Sequence, residues 1–405
     1  LIAKRFKYLA EKLALVTPTP FYVVDPSGVE RDFSAMDNAW REWFPRFTLA
    51  YSYKSNPLTV FTQLLCSLGA TAEVVSGAEL RTALDDGFAP RNILFDGPVK
   101  NAAELAHAVS LGVGVQVDSL SEAEHFAATA RDFGATPRVC LRLAMPTASG
   151  RWSRFGLLPG EAPHAWRLLA DAGIGVRGVH LGVGTLVSGP GTYRAALSRW
   201  CETLRVWAGA SGEPFVLNLG GGFPPRRDTA DPRAPWRDFA AEVAEECRLI
   251  GLRPEDVRLV IEPGRSLVEE HGVLVARVAV RKRRTDAPDL VVLDAGTHLS
   301  RTVKSRPHPI EFARVDASSN TGVVPPSESF ESFDVYGNNC YEGDVFARGV
   351  PGPASLGPED LVLVGCVGAY DMPFAHVWVR PQPPVFATTG SGGHTVVRER
   401  GTRIR

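Results

Sequence analysis

The chain has 405 residues, of which 44% are hydrophobic and 22% charged, with a net charge of −1. That length exceeds one ordinary hydrophobic core and implies two domains. The balanced charge leaves no basic footprint for nucleic acid, and no apolar run approaches a bilayer crossing, so neither partner is expected.

In chain order, LIAKRFKYLAEKLALV opens with positive charge but is interrupted by Glu11 and Lys12 and is followed by no small-residue cleavage site. It reads as an amphipathic helix with Phe6, Leu9, Leu13 and Leu15 on one side, not as a signal peptide. FYVV (21–24) is strand-like, and residues 1–30 are expected to pack with a later β domain.

From FTLAYSYK (47–54) onward, short apolar runs alternate with helical stretches: TAEVVS, RNILFD, GVGVQVDS, RVCLRLA, VRGVHLGVG, FVLNLGGG and VRLVIEPG. About eight strand–helix units at this spacing predict parallel pairing and a (β/α)8 TIM-like barrel over residues 31–267. Reactive groups in such barrels sit where strands end, and Lys54, His180, Gly220, Gly221, Gly222 and Glu262 all fall there. Residues 268–388 change to β segments joined by Pro/Gly/Ser loops, predicting a C-terminal antiparallel β domain, and the Gly/Arg-rich tail 389–405 is expected to be disordered.

The six cysteines lie far apart with no CxxC pair. They form neither a disulfide framework nor a zinc site, so no metal is expected, and most read as buried hydrophobes in a reducing, cytoplasmic setting.

Only seven lysines are present, which narrows the search for a nucleophilic amine. Lys54 closes the first strong barrel strand, where desolvation is expected to lower its pKa; a strand-end lysine in solvent is the competing reading. NLGGGFP (218–224) provides the backbone donors that an anion needs, or merely a tight turn. IEPGRSLV (261–268) sets Glu262 and Arg265 three apart around Gly264. A carboxylate there keeps a pyridine nitrogen protonated and a guanidinium forks onto phosphate, unless the two form an ordinary surface pair.

Together YSYKSNP, AEVVSGAEL, SRFGL, HLGVG, LNLGGGFP, IEPGRSLV, LDAG, GNNCYEGD and VGAY follow, in order, the motif series of fold-type III pyridoxal-5′-phosphate (PLP) decarboxylases. The chain resembles that group, which contains diaminopimelate, ornithine and arginine decarboxylases, over roughly residues 18–380. The resemblance implies the alanine-racemase-like architecture and PLP as cofactor. By it Lys54 carries the cofactor, Glu73 stands beside Lys54, and His180 stacks on the ring, although alone it would read as a core histidine. Gly220, Gly221, Gly222, Gly264, Arg265 and Tyr370 would bind the cofactor's phosphate end, and Glu262 its pyridine nitrogen. Asp294 and Cys340 match substrate-side positions, with Cys340 as proton donor reaching across a homodimer with shared active sites.

The implied activity is α-decarboxylation of an amino acid, or an amino-acid conjugate with a polar distal group, through an external aldimine and a quinonoid. Four departures bear on the substrate. Val183 stands where the ornithine type has serine, and Asn218 where aspartate is usual. Tyr341 follows Cys340 with the acid displaced to Glu342, which looks closer to siderophore-type and other specialised-metabolism decarboxylases. After Asp294 the arginine–proline spacing of the diaminopimelate type is lost; Arg301 or Arg306 could bind a distal carboxylate, or both could be surface arginines. A racemase of the same fold is the first alternative, disfavoured by Glu262 because such racemases place arginine against the ring nitrogen. An inactive PLP-binding regulatory homologue is the second, disfavoured by retention of the site residues.

Overall fold

The computed structural model describes residues 2–134, 137–147, 149–211, 214–313, 329–390 and 392–402. The chain forms two compact units, one of Leu1–Val29, Ser55–Phe61 and Val268–Arg405, the other of Glu30–Lys54 and Thr62–Leu267. Strand β1 (Phe21–Val24) belongs to the first unit. The next eight close into a barrel in the second: β2 (Phe47–Ser52), β3 (Thr71–Val74), β4 (Ile93–Phe95), β5 (Gly114–Val117), β6 (Val139–Arg142), β7 (Val176–His180), β8 (Phe215–Asn218) and β9 (Val257–Ile261). Every pairing around the ring, including the closing β2–β9 contact, is parallel.

The helices between the strands start where local chemistry tells them to. Ser76, Asn101 and Ser119 each accept a hydrogen bond from the backbone N–H of a glutamate three residues on, Glu79, Glu104 and Glu122. Each cap contributes about 1 kcal/mol and fixes where its strand must stop. The helices Ala102–Leu111 and Leu120–Phe133 end on left-handed Gly112 (φ +72°) and Gly134 (φ +56°), a conformation that favours glycine. Inside the barrel, Lys100 Nζ donates to the carbonyls of Gly97 and Gln116 and to Glu122 Oε1, at 2.6–2.8 Å, which ties a strand-end loop to the next strand and helix.

The first unit holds a nine-stranded sheet. It adds to β1 the strands β10 (Gly272–Lys282), β11 (Asp289–Leu293), β12 (Ile310–Ala313), β13 (Phe330–Tyr336), β14 (Val345–Pro353), β15 (Leu361–Gly365), β16 (Val385–Thr388) and β17 (His394–Arg398). The expected β domain is present and most of its pairings are antiparallel, but β1 pairs parallel with β16, and β11 parallel with β13. Parallel neighbours need a long connection, not a hairpin, and β1 meets β16 only after the whole intervening chain has been laid down.

Helix α1 (Lys4–Ala14) packs Phe6, Leu9 and Leu13 against Phe21 and Val23 of β1, Val273 and Val275 of β10, and Leu361 and Leu363 of β15. Each such large side chain contributes about 1.5–3 kcal/mol on burial. Leu15 departs from the expected stripe, lying past the helix end and 57% exposed. The tail expected to be disordered instead carries β17, antiparallel to β16. Backbone pairing and Arg398, which donates to the Pro383 carbonyl at 3.0 Å, hold a segment whose composition gave no strand signal. Residues 391 and 403–405 of that tail lie outside the described residues. All six cysteines are free; Cys140, Cys247 and Cys366 are buried, and Cys340 is exposed. Among the described residues no helix is long and apolar enough to cross a membrane.

Candidate active site

Side chains on a strand alternate between faces, so one inward set follows from the register. Ser52 lies level with Glu73, Arg142 with His180, and His180 with Asn218 across neighbouring strands. These positions, with Asp96, Asp118 and Glu262 just past their strands, make the C-terminal end of the barrel interior polar on all eight strands. An ordinary barrel packs branched apolar residues inside; such a concentration of charge needs a chemical reason.

Lys54 sits in a short 3-10 turn, Tyr53–Ser55, immediately after β2. Its Nζ donates to both oxygens of Glu73, at 2.8 and 2.6 Å, and Ser52 Oγ donates to Glu73 Oε2 at 2.5 Å. Glu73 is fully buried, whereas the Lys54 side chain is 41% exposed. The expected depression of the lysine pKa is corrected. Burial does pull the ammonium down, but the carboxylates of Glu73, Glu262 and Asp96 outweigh it and hold the group above its ordinary value. Desolvation alone was the wrong dominant effect, because the strand ends around Lys54 carry the acids.

His180 closes β7 and is buried between two carboxylates, with Nδ1 2.9 Å from Asp96 Oδ1 and Nε2 3.5 Å from Glu262 Oε2. Burial lowers the imidazole pKa, but Asp96 and Glu262 together raise it above the usual value. Asp96 responds in the opposite sense: burial would raise it, and His180 and Arg142 hold it below its usual range. Glu262 is pushed up, by burial first and then by Asp96 and Glu73, against the pull of His180 and Lys54. The shifts move Asp96 and His180 toward their charged forms and Glu262 toward its protonated form. Arg142 closes the floor, 3.2 Å from Asp118 and 3.8 Å from Asp96, under the Phe155 ring at 4.8 Å.

The glycine loop is built into this group. Asn218 Nδ2 donates to Glu262 Oε1 at 2.6 Å, while its Oδ1 accepts from the Gly220 N–H at 2.9 Å. The Glu262 N–H donates to the Gly220 carbonyl at 2.8 Å, and Tyr193 Oη to that of Gly221 at 2.8 Å. Phe223 anchors the loop's far end, stacked on Tyr193 at 4.9 Å and edge-on to Trp40 at 5.6 Å. A Cβ at Gly221 would lie 2.5 Å from the Glu262 carbonyl oxygen, and one at Gly220 2.8 Å from His180 Nε2. Gly264 accepts from the Leu267 N–H at 3.0 Å, opening the short helix Arg265–Val268.

The fit to pyridoxal phosphate is good on this geometry. One primary amine, one buried proton-holding acid and one imidazole converge beside a loop that only glycines can form, with Arg265 at the adjoining helix start. Lys54, Glu73, His180, Gly220–Gly222 and Glu262 are brought together. Ser52, Asp96, Asp118 and Arg142 were missed as site residues, although the signal was present: each stands at the same strand-end, inward parity as a residue already singled out.

The remaining candidates lie in the other unit. Tyr370 Oη is 3.1 Å from Ser55 Oγ, and its ring stacks on Phe374 at 6.0 Å. Asp294 spends both oxygens, accepting from Thr19 Oγ1 at 2.5 Å and the Arg277 N–H at 2.9 Å. Arg306 is engaged by buried Glu269 at 3.1 Å, whereas Arg301 is exposed over the Phe374 ring at 5.6 Å. Asp344 folds the GNNCYEGD turn by accepting from the Asn339 N–H at 2.8 Å and from the N–H and hydroxyl of Thr297 at 2.8 and 2.6 Å. This leaves Cys340 and Glu342 exposed, with Tyr341 3.0 Å from Thr297 Oγ1 and 5.7 Å from the Trp378 ring.

Residues 30–269 match the family described as "Pyridoxal-dependent decarboxylase, pyridoxal binding domain". The chain is 30% identical to the diaminopimelate decarboxylase of Deinococcus radiodurans over 92% of this chain and 90% of that protein. It is 27% identical to that of Zymomonas mobilis over 94% and 90%. The crystal structure of the Methanocaldococcus jannaschii diaminopimelate decarboxylase with L-lysine superposes with a TM-score of 0.83, at 26% identity, over 97% of this chain and 92% of that one. The fold also matches a Vibrio vulnificus lysine/ornithine decarboxylase complexed with cadaverine, with a TM-score of 0.76, 23% identity and coverage of 92% and 94%.

Proposed function

The chain belongs to the pyridoxal-dependent decarboxylases, and from that premise we propose that it removes the α-carboxylate of an amino acid bearing a polar distal group. It is a PLP-dependent carboxy-lyase; the substrate class is the part inferred. Diaminopimelate leads the candidates because the relatives above carry that name, with lysine- and ornithine-like amino acids and specialised-pathway conjugates beside it. Arg301, exposed in its unit, is the cation to offer a distal carboxylate, since Arg306 is engaged by Glu269.

Bound PLP supplies an aldehyde to carry the amino group and a ring to accept the electron pair left by departing CO2. The protein's own residues do the rest. Lys54 would hold the cofactor and release the amine product, with Glu73, 2.6–2.8 Å away, placed to take and return the Lys54 proton. Glu262, shifted toward its protonated form, would share a proton with the ring nitrogen, and His180, held by Asp96, would stand beside the cofactor. The motif resemblance assigns the phosphate to the glycine loop, Gly264, Arg265 and Tyr370, and the proton returned to Cα to Cys340. A homodimer with shared sites and a cytoplasmic location belong to the same proposal and rest on the motif resemblance.

The observation that carries the reading is the buried acid Glu262, locked by Asn218 and beside His180, where a racemase would need a cation. The test is CO2 release from holoenzyme offered meso-diaminopimelate, lysine, ornithine, arginine, glutamate and citryl-diamino-acid conjugates. Release from at least one polar-ended substrate is expected. Stereochemical inversion at Cα, read by chiral chromatography, without CO2 from any of them would reverse the conclusion.

A further inference from the structure

The opposite end of the barrel interior is not filled. Below the polar layer small residues such as Gly114, Thr71 and Cys140 line a cavity of about 360 Å³ at the strands' N-terminal ends. A barrel normally fills this space with packed side chains. Four arginines, Arg91, Arg138, Arg177 and Arg258, line it, and among the described residues no acidic one does.

Three of these cations, Arg91, Arg138 and Arg258, have no carboxylate partner among the described residues. Arg138 Nη2 donates only to neutral carbonyls, those of Gly112 at 3.1 Å and Pro90 at 3.4 Å. Among the described residues Arg91 and Arg258 form no ion pair. Burial lowers the Arg138 pKa, and the like charges of Arg177 and Arg258 lower it further. In the wall between them Gln116 is 2% exposed, and its Oε1 has no hydrogen-bond partner among the described residues. A buried amide oxygen without a donor is costly, and like-charged guanidinium groups gathered around one cavity repel one another.

One ligand chemistry relieves both. Guanidinium forks match the oxygens of a multivalent oxyanion, and a proton-bearing oxygen on that anion donates to Gln116. We propose that the N-terminal cavity of the barrel is a second ligand site, binding a hydrogen-phosphate-type oxyanion, free or as the phosphate group of a small metabolite, between Arg91, Arg138 and Arg258. This site is independent of the decarboxylase chemistry at the other end of the barrel.

The test uses holoenzyme, whose glycine loop already holds the cofactor's phosphate, titrated calorimetrically with inorganic phosphate, sulfate, citrate and a small phosphate monoester. Phosphate or the monoester is expected to bind one per chain, and the tighter of the two identifies the source. Arg258→Gln, at an exposed position, is expected to weaken binding at least about tenfold while leaving CO2 release unchanged. Gln116→Leu is expected to erase the preference for phosphate over sulfate. Equal binding by the parent and Arg258→Gln, preference for sulfate or citrate in the parent, or no heat with any ligand would overturn the proposal. Because CO2 release is read on the same preparations, failure here is distinct from failure of the decarboxylase reading.

Discussion

Replacing Glu73 with Gln removes one charge and keeps the shape, and Lys54 should register the loss directly. Its ammonium now donates to both Glu73 oxygens at 2.6–2.8 Å. A charge-assisted hydrogen bond contributes about 1.5–3 kcal/mol; with the lysine side chain 41% exposed, solvent screening reduces this to ~1–2 kcal/mol. At about 1.4 kcal/mol per pKa unit, Lys54 should fall by about one unit, with Glu262 and Asp96 still holding part of the elevation. The assay is the rate at which cofactor-free protein gains the visible band of lysine-linked cofactor, measured against pH for parent and variant. Because only the neutral amine attacks, the midpoint should move about one unit lower in Glu73→Gln. The sign for stability follows from the raised value: the pair's contribution is fully present below the unfolded lysine pKa of 10.5 and fades as pH rises through the higher folded one. The variant's stability deficit should therefore be present at neutral pH and vanish in strong alkali. An unmoved or raised midpoint would refute the claim that Glu73 holds the proton on Lys54.

Three further outcomes are expected. Asp96→Asn should lower the His180 pKa, read by imidazole NMR titration, and cost about 1.5–3 kcal/mol in urea unfolding at neutral pH. Because the folded Asp96 pKa is depressed, that cost should shrink as pH falls from about 4 through the folded value. Gly221→Ala, whose Cβ would meet the Glu262 carbonyl oxygen at 2.5 Å, should weaken PLP binding at least about tenfold while circular dichroism stays unchanged. Cys340→Ala should keep the cofactor's spectrum yet slow turnover or divert the returning proton, seen as altered solvent-deuterium incorporation at Cα; normal turnover and product would remove Cys340 from the mechanism.

The barrel was legible because short apolar strands and the helical stretches between them write distinct periods at a regular spacing. The nine-stranded sheet was legible as β but not in its directions, since the β1–β16 and β11–β13 pairings join segments far apart in sequence. Strand β17 escaped notice because its residues are mostly exposed and its pairing is carried by the backbone. In the site, Lys54, His180, Glu262 and the glycines stood out through local motifs. Asp96 and Arg142 did not, because their meaning lies in what faces them across the barrel: Asp96 is recognisable only once His180 is 2.9 Å away. The sign of the Lys54 shift was misread for the same reason, as it depends on three carboxylates from three other strands. Arg306 looked available in sequence because Glu269, which engages it, lies 37 residues earlier.

The most direct test of the central claim is to reduce the holoenzyme with borohydride, digest it, and locate the pyridoxyl adduct by mass spectrometry. With seven lysines in the chain, the answer is unambiguous. A single adduct on the peptide containing Lys54 is expected. Its sharpest competitor is Lys100, a buried amine already committed to the Gly97 and Gln116 carbonyls and to Glu122. An adduct on Lys100 or any other lysine, or no adduct at all, would contradict the assignment of this barrel end as the site of decarboxylation.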